Sequence, residues 1–290
     1  MPRVVHVEPV EVVRREIALG ERFDFGRNWR RFLALLNEQR IAGAEQSLRE
    51  MLGGDALRGA RFLDVGSGSG LFSLAARRLG ASVLSFDYDP SSVACTEEIR
   101  RRFFPDDAEW TIRRGSILDR EFIRSLGVFD VVYAWGVLHH TGNLRLALEI
   151  VADTVAARGR LFLAVYNDQG IRSVLWRQVK RAYCSSTVAR WLIAALFLPY
   201  FVLGGLVADL ARRKNPLDRY RAAGTPRGMS RIRDWSDWLG GLPFEVAKPE
   251  VICEFFDRRG FRLKRLTTCG GRPGCNEFVF VKDRPAEPAA

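Results

Sequence analysis

The sequence is poor in the residues that hold small secreted scaffolds together. It has five cysteines, Cys95, Cys184, Cys253, Cys269 and Cys275, an odd number without framework spacing. That excludes a disulfide scaffold and points to a reducing, cytoplasmic setting. Histidine is scarcer still, at three residues. Cys269 and Cys275 flank a glycine-rich turn, TTCGGRPGC, but no His or Cys cluster completes a four-ligand site, so no metal is expected. The N-terminal MPRVVHVEPVEVV has no apolar segment of the signal-peptide type, so no secretory leader is expected. No internal repeat is visible.

What is present is a globular composition, 47% apolar and 27% charged over 290 residues. The net charge is +11 and unevenly spread: residues 168–234 hold 13 Lys/Arg against 4 Asp/Glu, a local +9. Such a patch suits an anionic partner, whether lipid headgroups, nucleic acid or an acidic substrate, or else is a plain solvated surface.

Along the chain, residues 1–22 read as charged and extended or frayed, and Trp29 to Leu52 as helical. An alternation of apolar runs and helical stretches follows. ARFLDVG, ASVLSFD, AEWTIRRG, FDVVYAWG and RLFLAVY read as five buried strands separated by helices, which implies a parallel sheet. About 80 residues without a strand come next. The pattern resumes at Pro249 with a helix and then two strands, FRLKRLTTC and CNEFVFVK, joined as an antiparallel hairpin by GGRPG. The expected fold is α/β: a Rossmann-like seven-stranded sheet, mostly parallel with the last strand antiparallel, helices on both faces and a helical lid insertion. Its parts are an N-terminal helical cap (1–59), a Rossmann-like core (60–166), a helical lid or substrate insertion (167–248), a C-terminal helix and hairpin completing the core (249–283) and a disordered tail (284–290).

The most specific motif is Asp64-Val65-Gly66-Ser67-Gly68-Ser69-Gly70, between an expected strand and an expected helix. Its glycines allow a sharp turn and let a ligand touch bare backbone. A nicotinamide fingerprint needs a small residue where this chain has Leu71. The spacing G-x-G-x-G, with an acid two residues before it, instead resembles the first motif of class I S-adenosylmethionine (SAM)-dependent methyltransferases. Asp87 ends the second strand, where the resemblance implies a carboxylate for the ribose hydroxyls, with Tyr88 beside it. Asp89 is the alternative, although its place before Pro90 suits a helix cap. Ser116 and Ile117 stand where the family contacts adenine. Ser116 departs from the family's usual acid, and Asp119 either substitutes for it or caps the next helix. The string Tyr133-Ala134-Trp135-Gly136-Val137-Leu138-His139-His140-Thr141 resembles the family's motif after the fourth strand. The resemblance thus implies SAM as cofactor, held by Asp64, Gly66, Ser67, Gly68, Gly70, Asp87, Tyr88, Ser116, Ile117 and Trp135. Asp64 orients the loop or the cofactor's ammonium group. Trp29 either closes over the cofactor or packs in the core.

Methyl transfer is an in-line displacement whose main demand is orientation. A hydroxyl acceptor must also lose its proton, which a neutral histidine can take. His140 is the expected base and His139 the second candidate; either could instead be structural. Tyr166, Asn167 and Asp168 follow the fifth strand and are expected to line the acceptor pocket, with Glu245 and Asn276 as weaker candidates.

Trp191 to Ala208 is 18 residues without a charge, 15 of them apolar. By length it is a transmembrane candidate. A single span would strand the closing hairpin across the membrane, and Pro199 and Gly204-Gly205 are expected to break the run, so it reads as a lid or interfacial segment. Ahead of it, Ile171, Val174, Leu175 and Val179 alternate with Arg172, Arg177, Lys180 and Arg181, a basic amphipathic pattern found at membrane surfaces. Strings such as YNDQG, DWLGGLPFE and GCNEF resemble a bacterial small-molecule subgroup related to quinone-pathway methylases. The expected partner is therefore a small, lipophilic acceptor, with peripheral contact to anionic membrane and O-methylation as the leading chemistry. N- or C-methylation stays open, as does a non-catalytic SAM-binding regulator. Nucleic acid is disfavoured: the chain has no N/D-P-P-Y/F motif and no RNA-binding module.

Overall fold

The computed structural model describes residues 9–213, 215, 235 and 238–283. The expected tail at 284–290 and the polar loop with Pro216, Gly224, Pro226 and Gly228 lie outside the described residues.

Seven strands form one sheet: β1 (Arg61–Val65), β2 (Ser82–Asp87), β3 (Trp110–Arg114), β4 (Phe129–Trp135), β5 (Val155–Tyr166), β6 (Phe261–Thr267) and β7 (Cys275–Lys282). Their order is β3-β2-β1-β4-β5-β7-β6. β7 runs antiparallel to both its neighbours and the other pairings are parallel, as the closing hairpin implied. The chain starts at β1, winds outward to β3, then crosses to β4 on the other side of β1. That reversal opens a crevice beyond the C-terminal ends of β1 and β4, the place where open α/β sheets bind ligands.

Both faces of the sheet are covered, so the central strands are apolar on successive residues rather than alternate ones. Leu63, Val65, Val132, Ala134, Leu161 and Leu163 face one layer, which includes α7 (Leu144–Asp153) and α10 (Pro249–Asp257). Phe62, Val83, Val131, Tyr133 and Phe162 face the other. That second layer includes α3 (Glu38–Leu52), α4 (Leu71–Arg78) and α5 (Pro90–Phe103). A smaller third cluster joins Phe23 to Tyr183, Cys184, Leu239, Leu242 and Phe244, tying the N-terminal segment to the insertion.

Three local expectations change. Pro9–Ala18 is a helix, α1, rather than extended chain, because Val13 is buried on its inner side. The single helix expected from Trp29 to Leu52 is two, α2 (Phe25–Leu33) and α3. The break falls where Asn37 caps α3, its side chain accepting the Arg40 N–H at 3.0 Å. The insertion forms α8 (Ile171–Ser185) and α9 (Thr187–Ala211), and α9 runs unbroken through Pro199 and Gly204-Gly205. One missing N–H in 25 residues is outweighed by the hydrogen bonds on either side and by the packing of α9 against α8.

Candidate functional site

The loop after β1 is shaped by its glycines. Gly66, Gly68 and Gly70 have φ of 70°, 56° and 83°, a region that strains other residues. There is no room for side chains either: a Cβ on Gly66 would fall 2.5 Å from Val137, and one on Gly68 2.9 Å from the Trp29 ring. The N–H groups of Gly66 and Ser67 donate to the Phe86 carbonyl at 2.8 and 3.0 Å, anchoring the turn to β2.

Behind this loop, a chain of buried hydrogen bonds ends on Asp64. Trp110 Nε1–H donates to Ser85 Oγ at 3.0 Å, Ser85 and Ser73 hydroxyls are 2.7 Å apart, and Ser73 donates to the Asp64 carboxylate at 2.5 Å. Burial still pushes the Asp64 carboxyl up to about 7, with the Asp87 charge adding to it and Ser73 opposing. A buried carboxylate whose hydrogen bonds come from the neutral Ser73 alone is an arrangement that a cation completes.

Asp87 accepts the Gly68 N–H and the Asp89 N–H, both at 2.9 Å. Burial raises it to about 6 against these two bonds. Asp89 has both oxygens engaged elsewhere: one accepts Ser91 N–H at 2.8 Å as the cap of α5, and the other accepts Gly26 N–H at 2.9 Å at the start of α2. The capping role read for Asp89 is thus the one the geometry shows. Asp119 caps α6 (Arg120–Leu126) through the Phe122 N–H at 3.0 Å and is absent from the crevice wall. Ser116 is on that wall with Ile117, its hydroxyl accepting Leu118 N–H at 3.1 Å.

The crevice has a cavity of about 510 Å³, within the range of small-molecule sites. Asp64, Gly66, Ser67, Gly68, Asp87, Tyr88, Ser116, Ile117, Trp135, His139, His140 and Tyr166 all line it. Gly70 does not; it lets the loop pass Thr96, whose backbone a Cβ would meet at 2.8 Å. Trp135 Nε1–H donates to Glu277 at 2.7 Å, which fixes its indole at the C-terminal end of β4. Asn167 and Asp168 also lie off the wall, a correction to the expected acceptor pocket. Asn167 accepts from Asn276 at 3.0 Å and Asp168 accepts Gly170 N–H at 2.8 Å, so both are used to shape the joint between β5, β7 and α8. Glu245 accepts Leu144 N–H at the start of α7, another structural use.

The two histidines sit in a 3-10 turn, Leu138–His140, directly after β4. His140 Nδ1 is 2.6 Å from the Pro243 carbonyl. A carbonyl can only accept, so Nδ1 carries the proton and Nε2 presents a lone pair. Burial lowers His140 to about 3, Pro243 opposing and the Lys180 and Arg22 charges reinforcing. His139 is fully buried, and Tyr166 N–H donates to its Nδ1 at 3.4 Å. That leaves the proton on Nε2. Its pKa is held well below the usual imidazole range by burial and by its neighbour. Tyr166 lies 4.0 Å from the His139 ring and Phe25 4.9 Å from that of His140, centroid to centroid.

Sequence reasoning missed two contributors. Arg22, on the wall, pairs with Glu16 at 2.5 Å, lies 4.8 Å over the Tyr88 ring and reaches the His140 carbonyl at 3.4 Å. Lys180, read as part of a basic outer face, is fully buried, its ammonium 4.7 Å from the Trp238 and Phe244 rings and 5.6 Å from Tyr166. Nothing in the residue pattern marks either, because both depend on segments far apart in sequence. Trp29 is on the wall over Gly68, Cys269 and Cys275 are not joined in a disulfide, and no metal-type cluster occurs among the described residues.

These features fit SAM. A side-chain-free turn gives close backbone approach, Asp87 stands at the end of β2, and Asp64 wants a cation. Comparison with known proteins agrees. The family model described as a methyltransferase domain matches residues 36–203. Ubiquinone biosynthesis O-methyltransferase of Azorhizobium caulinodans is 27% identical over 191 residues, 64% of this chain and 71% of that protein. The Rattus norvegicus mitochondrial protein of that name is 29% identical over 122 residues, 42% of this chain; this match spans only 35% of the rat protein. The fold resembles magnesium protoporphyrin IX methyltransferase from Synechocystis PCC 6803 with bound SAH, at TM-score 0.53 and 15% identity, covering 94% of this chain and 99% of that one. With more than half of its length matched by the methyltransferase model, and with a loop and sheet of the right form, the chain belongs to the class I SAM-dependent methyltransferases.

Proposed function

We propose that the protein moves a methyl group from SAM to the hydroxyl oxygen of a small, lipophilic acceptor, with His140 as general base and His139 beside it. The observation that carries this is the tautomer of His140: its Nδ1–H is held by Pro243, so Nε2 is a free acceptor on the wall of the cleft.

The cofactor supplies an electrophilic methyl group when bound. The Gly66–Gly68 backbone and Asp87 would hold its ribose side, Ser116 and Ile117 would flank the adenine, and Asp64 would face the ammonium. Tyr166, Phe25 and Trp238 give the other end of the cleft an aromatic wall that excludes water and suits an apolar acceptor. His140, depressed to about 3, is neutral at any working pH but weakly basic. It therefore takes the proton only as the methyl group is transferred and the acceptor oxygen becomes strongly acidic, which favours a phenol or enol over an aliphatic alcohol. The named O-methyltransferase relatives support this reading of the acceptor atom. The working location that follows is the cytoplasm, against the surface of an anionic membrane where such acceptors dissolve.

The test is to supply radiolabelled SAM with a panel of phenols, enols, amines and aliphatic alcohols, and to identify the methylated atom. O-methylated phenols or enols are expected. SAM binding with no turnover on any acceptor would favour a non-catalytic binding role, and a methyl group on nitrogen or carbon would remove the general-base assignment.

A further inference from the structure

α9 is apolar over most of its length, and its outer face is exposed. Its 25 residues have a mean hydropathy of 2.1 over their most apolar window, none of which is buried. Trp191, Leu192, Leu196, Tyr200 and Val207 are each between 64% and 73% exposed. A solvated protein rarely leaves so large an apolar face uncovered, and one that does is marking a contact. The surface continues onto the start of α8, where Ile171 is 79% exposed and Leu175 61%.

We infer that this face lies in one leaflet of an anionic bilayer and that the acceptor reaches the cleft from there. The inference rests on the lipophilic acceptor proposed above and adds the surface that meets the membrane and the route by which the acceptor enters. Two observations choose a bilayer. First, the surface charge is one-sided: from Gln169 to Ala208 there is no Asp or Glu and the Asp209 that follows is buried, whereas Arg172, Arg177, Arg181 and Arg190 are basic, and Arg212 and Arg213 follow at the end of α9. Apolar surface bracketed by arginines matches hydrocarbon bordered by anionic headgroups. Second, the inner side of α9 joins the cleft: Phe197 lies 5.3 Å from Trp176, Trp176 lies 5.4 Å from Trp238, and Trp238 lies 5.1 Å from the cleft residue Tyr166. A continuous aromatic path thus leads from the exposed helix to the histidine pair.

α9 leads out from α8, and beyond it Trp235 lies 5.7 Å from Phe201, near the middle of α9. The chain has therefore turned back beside the helix before its last strands rejoin the sheet. A span would carry the return to the other side of the membrane; a helix lying in one leaflet does not.

The experiment uses the full chain and vesicles of phosphatidylcholine with or without phosphatidylglycerol. Co-sedimentation at least tenfold stronger on the anionic vesicles, quenching of tryptophan fluorescence by acyl-chain bromines, and retention of the quenching at high salt are expected. Leu192→Glu with Leu196→Glu should lose the vesicles by at least tenfold while binding SAM as the wild type does. No sedimentation with anionic vesicles would overturn the inference, as would binding that salt abolishes without quenching. A stable dimer in solution that hides Trp191 from a soluble quencher would instead assign the face to a second copy. If SAM binding itself is absent from the wild type, the methyltransferase reading fails separately from the membrane one.

Discussion

The cofactor cleft and the α8–α9 insertion are both rich in apolar residues, but they use them in opposite ways. In the cleft, the strands β1, β2 and β4 bury most of their side chains, and buried polar groups there are tied to one another: Trp110, Ser85, Ser73 and Asp64 form one chain of hydrogen bonds. In the insertion, helix α9 leaves its large side chains exposed and contributes little to the core, while its neighbour α8 buries a lysine among aromatic rings. Internal packing determines the position of each atom in the first region. In the second, the sequence is arranged for a contact outside the chain. Substitutions should therefore act on binding in the cleft and leave stability almost untouched on the outer face of α9.

The largest effect is expected at the glycine loop. Gly66→Val requires a left-handed φ and drives a branched side chain into Val137. SAM binding by calorimetry should fall at least about a hundredfold, since strain and clash together exceed about 3 kcal/mol. Normal binding would show that the loop can be rebuilt, and so would weaken its role as the cradle.

Next comes the histidine turn. His140→Ala should lower kcat at least about tenfold with SAM affinity unchanged, because a positioned base contributes about 10²–10⁴-fold. His140→Gln, which can keep the bond to Pro243 but cannot take a proton, should be as slow as the alanine variant. If glutamine restores turnover, the role of His140 is positional.

A third test uses pH. Asp64, at about 7, and Asp87, at about 6, hold their protons more tightly in the fold than an unfolded carboxyl at 3.8 does. Between those values the native state binds more protons than the unfolded one, so stability without ligand falls as pH rises from about 4 to about 7. SAM carries positive charge and prefers the ionised carboxylates, so its affinity should strengthen over the upper part of the same range. Thermal unfolding with and without SAM from pH 5 to 8 should give a ligand-induced shift that grows with pH. Asp64→Asn should flatten that slope; an unchanged slope would remove Asp64 from the ammonium contact.

The smallest effect is expected on the insertion. Leu192→Glu and Leu196→Glu, at positions 67% and 68% exposed, should change unfolding free energy by less than about 0.5 kcal/mol in water. A loss of several kcal/mol would mean that α9 is a packed part of the fold after all.

Much of this architecture could be read from residues alone. Five apolar runs between helical stretches implied the parallel sheet, and GGRPG between two strand-like runs implied the reversed β7, because strand and turn chemistry are local. Asp89 before Pro90 announced the cap of α5 for the same reason. The errors fall where the deciding partner is distant. Asn167 and Asp168 follow β5 as expected, yet their side chains serve Asn276 and the turn before α8. Lys180 follows the rhythm of a solvated face, but Trp238 and Phe244 enclose it from 58 and 64 residues away. Pro199 reads as a breaker, yet the helix continues because its other hydrogen bonds and its packing outweigh one missing donor.

By itself, then, the sequence determined the sheet, the glycine turn and the family, since each depends on short-range patterns of size, polarity and backbone freedom. Only the tertiary structure decided which histidine nitrogen is free, because that depends on Pro243 from 103 residues away. It also decided that Asp64 is buried to the point of holding a proton near neutrality, and that α9 lies outside the core. Protonation and exposure are set by whatever surrounds a group, and in this chain the surroundings come from segments that meet only when it folds.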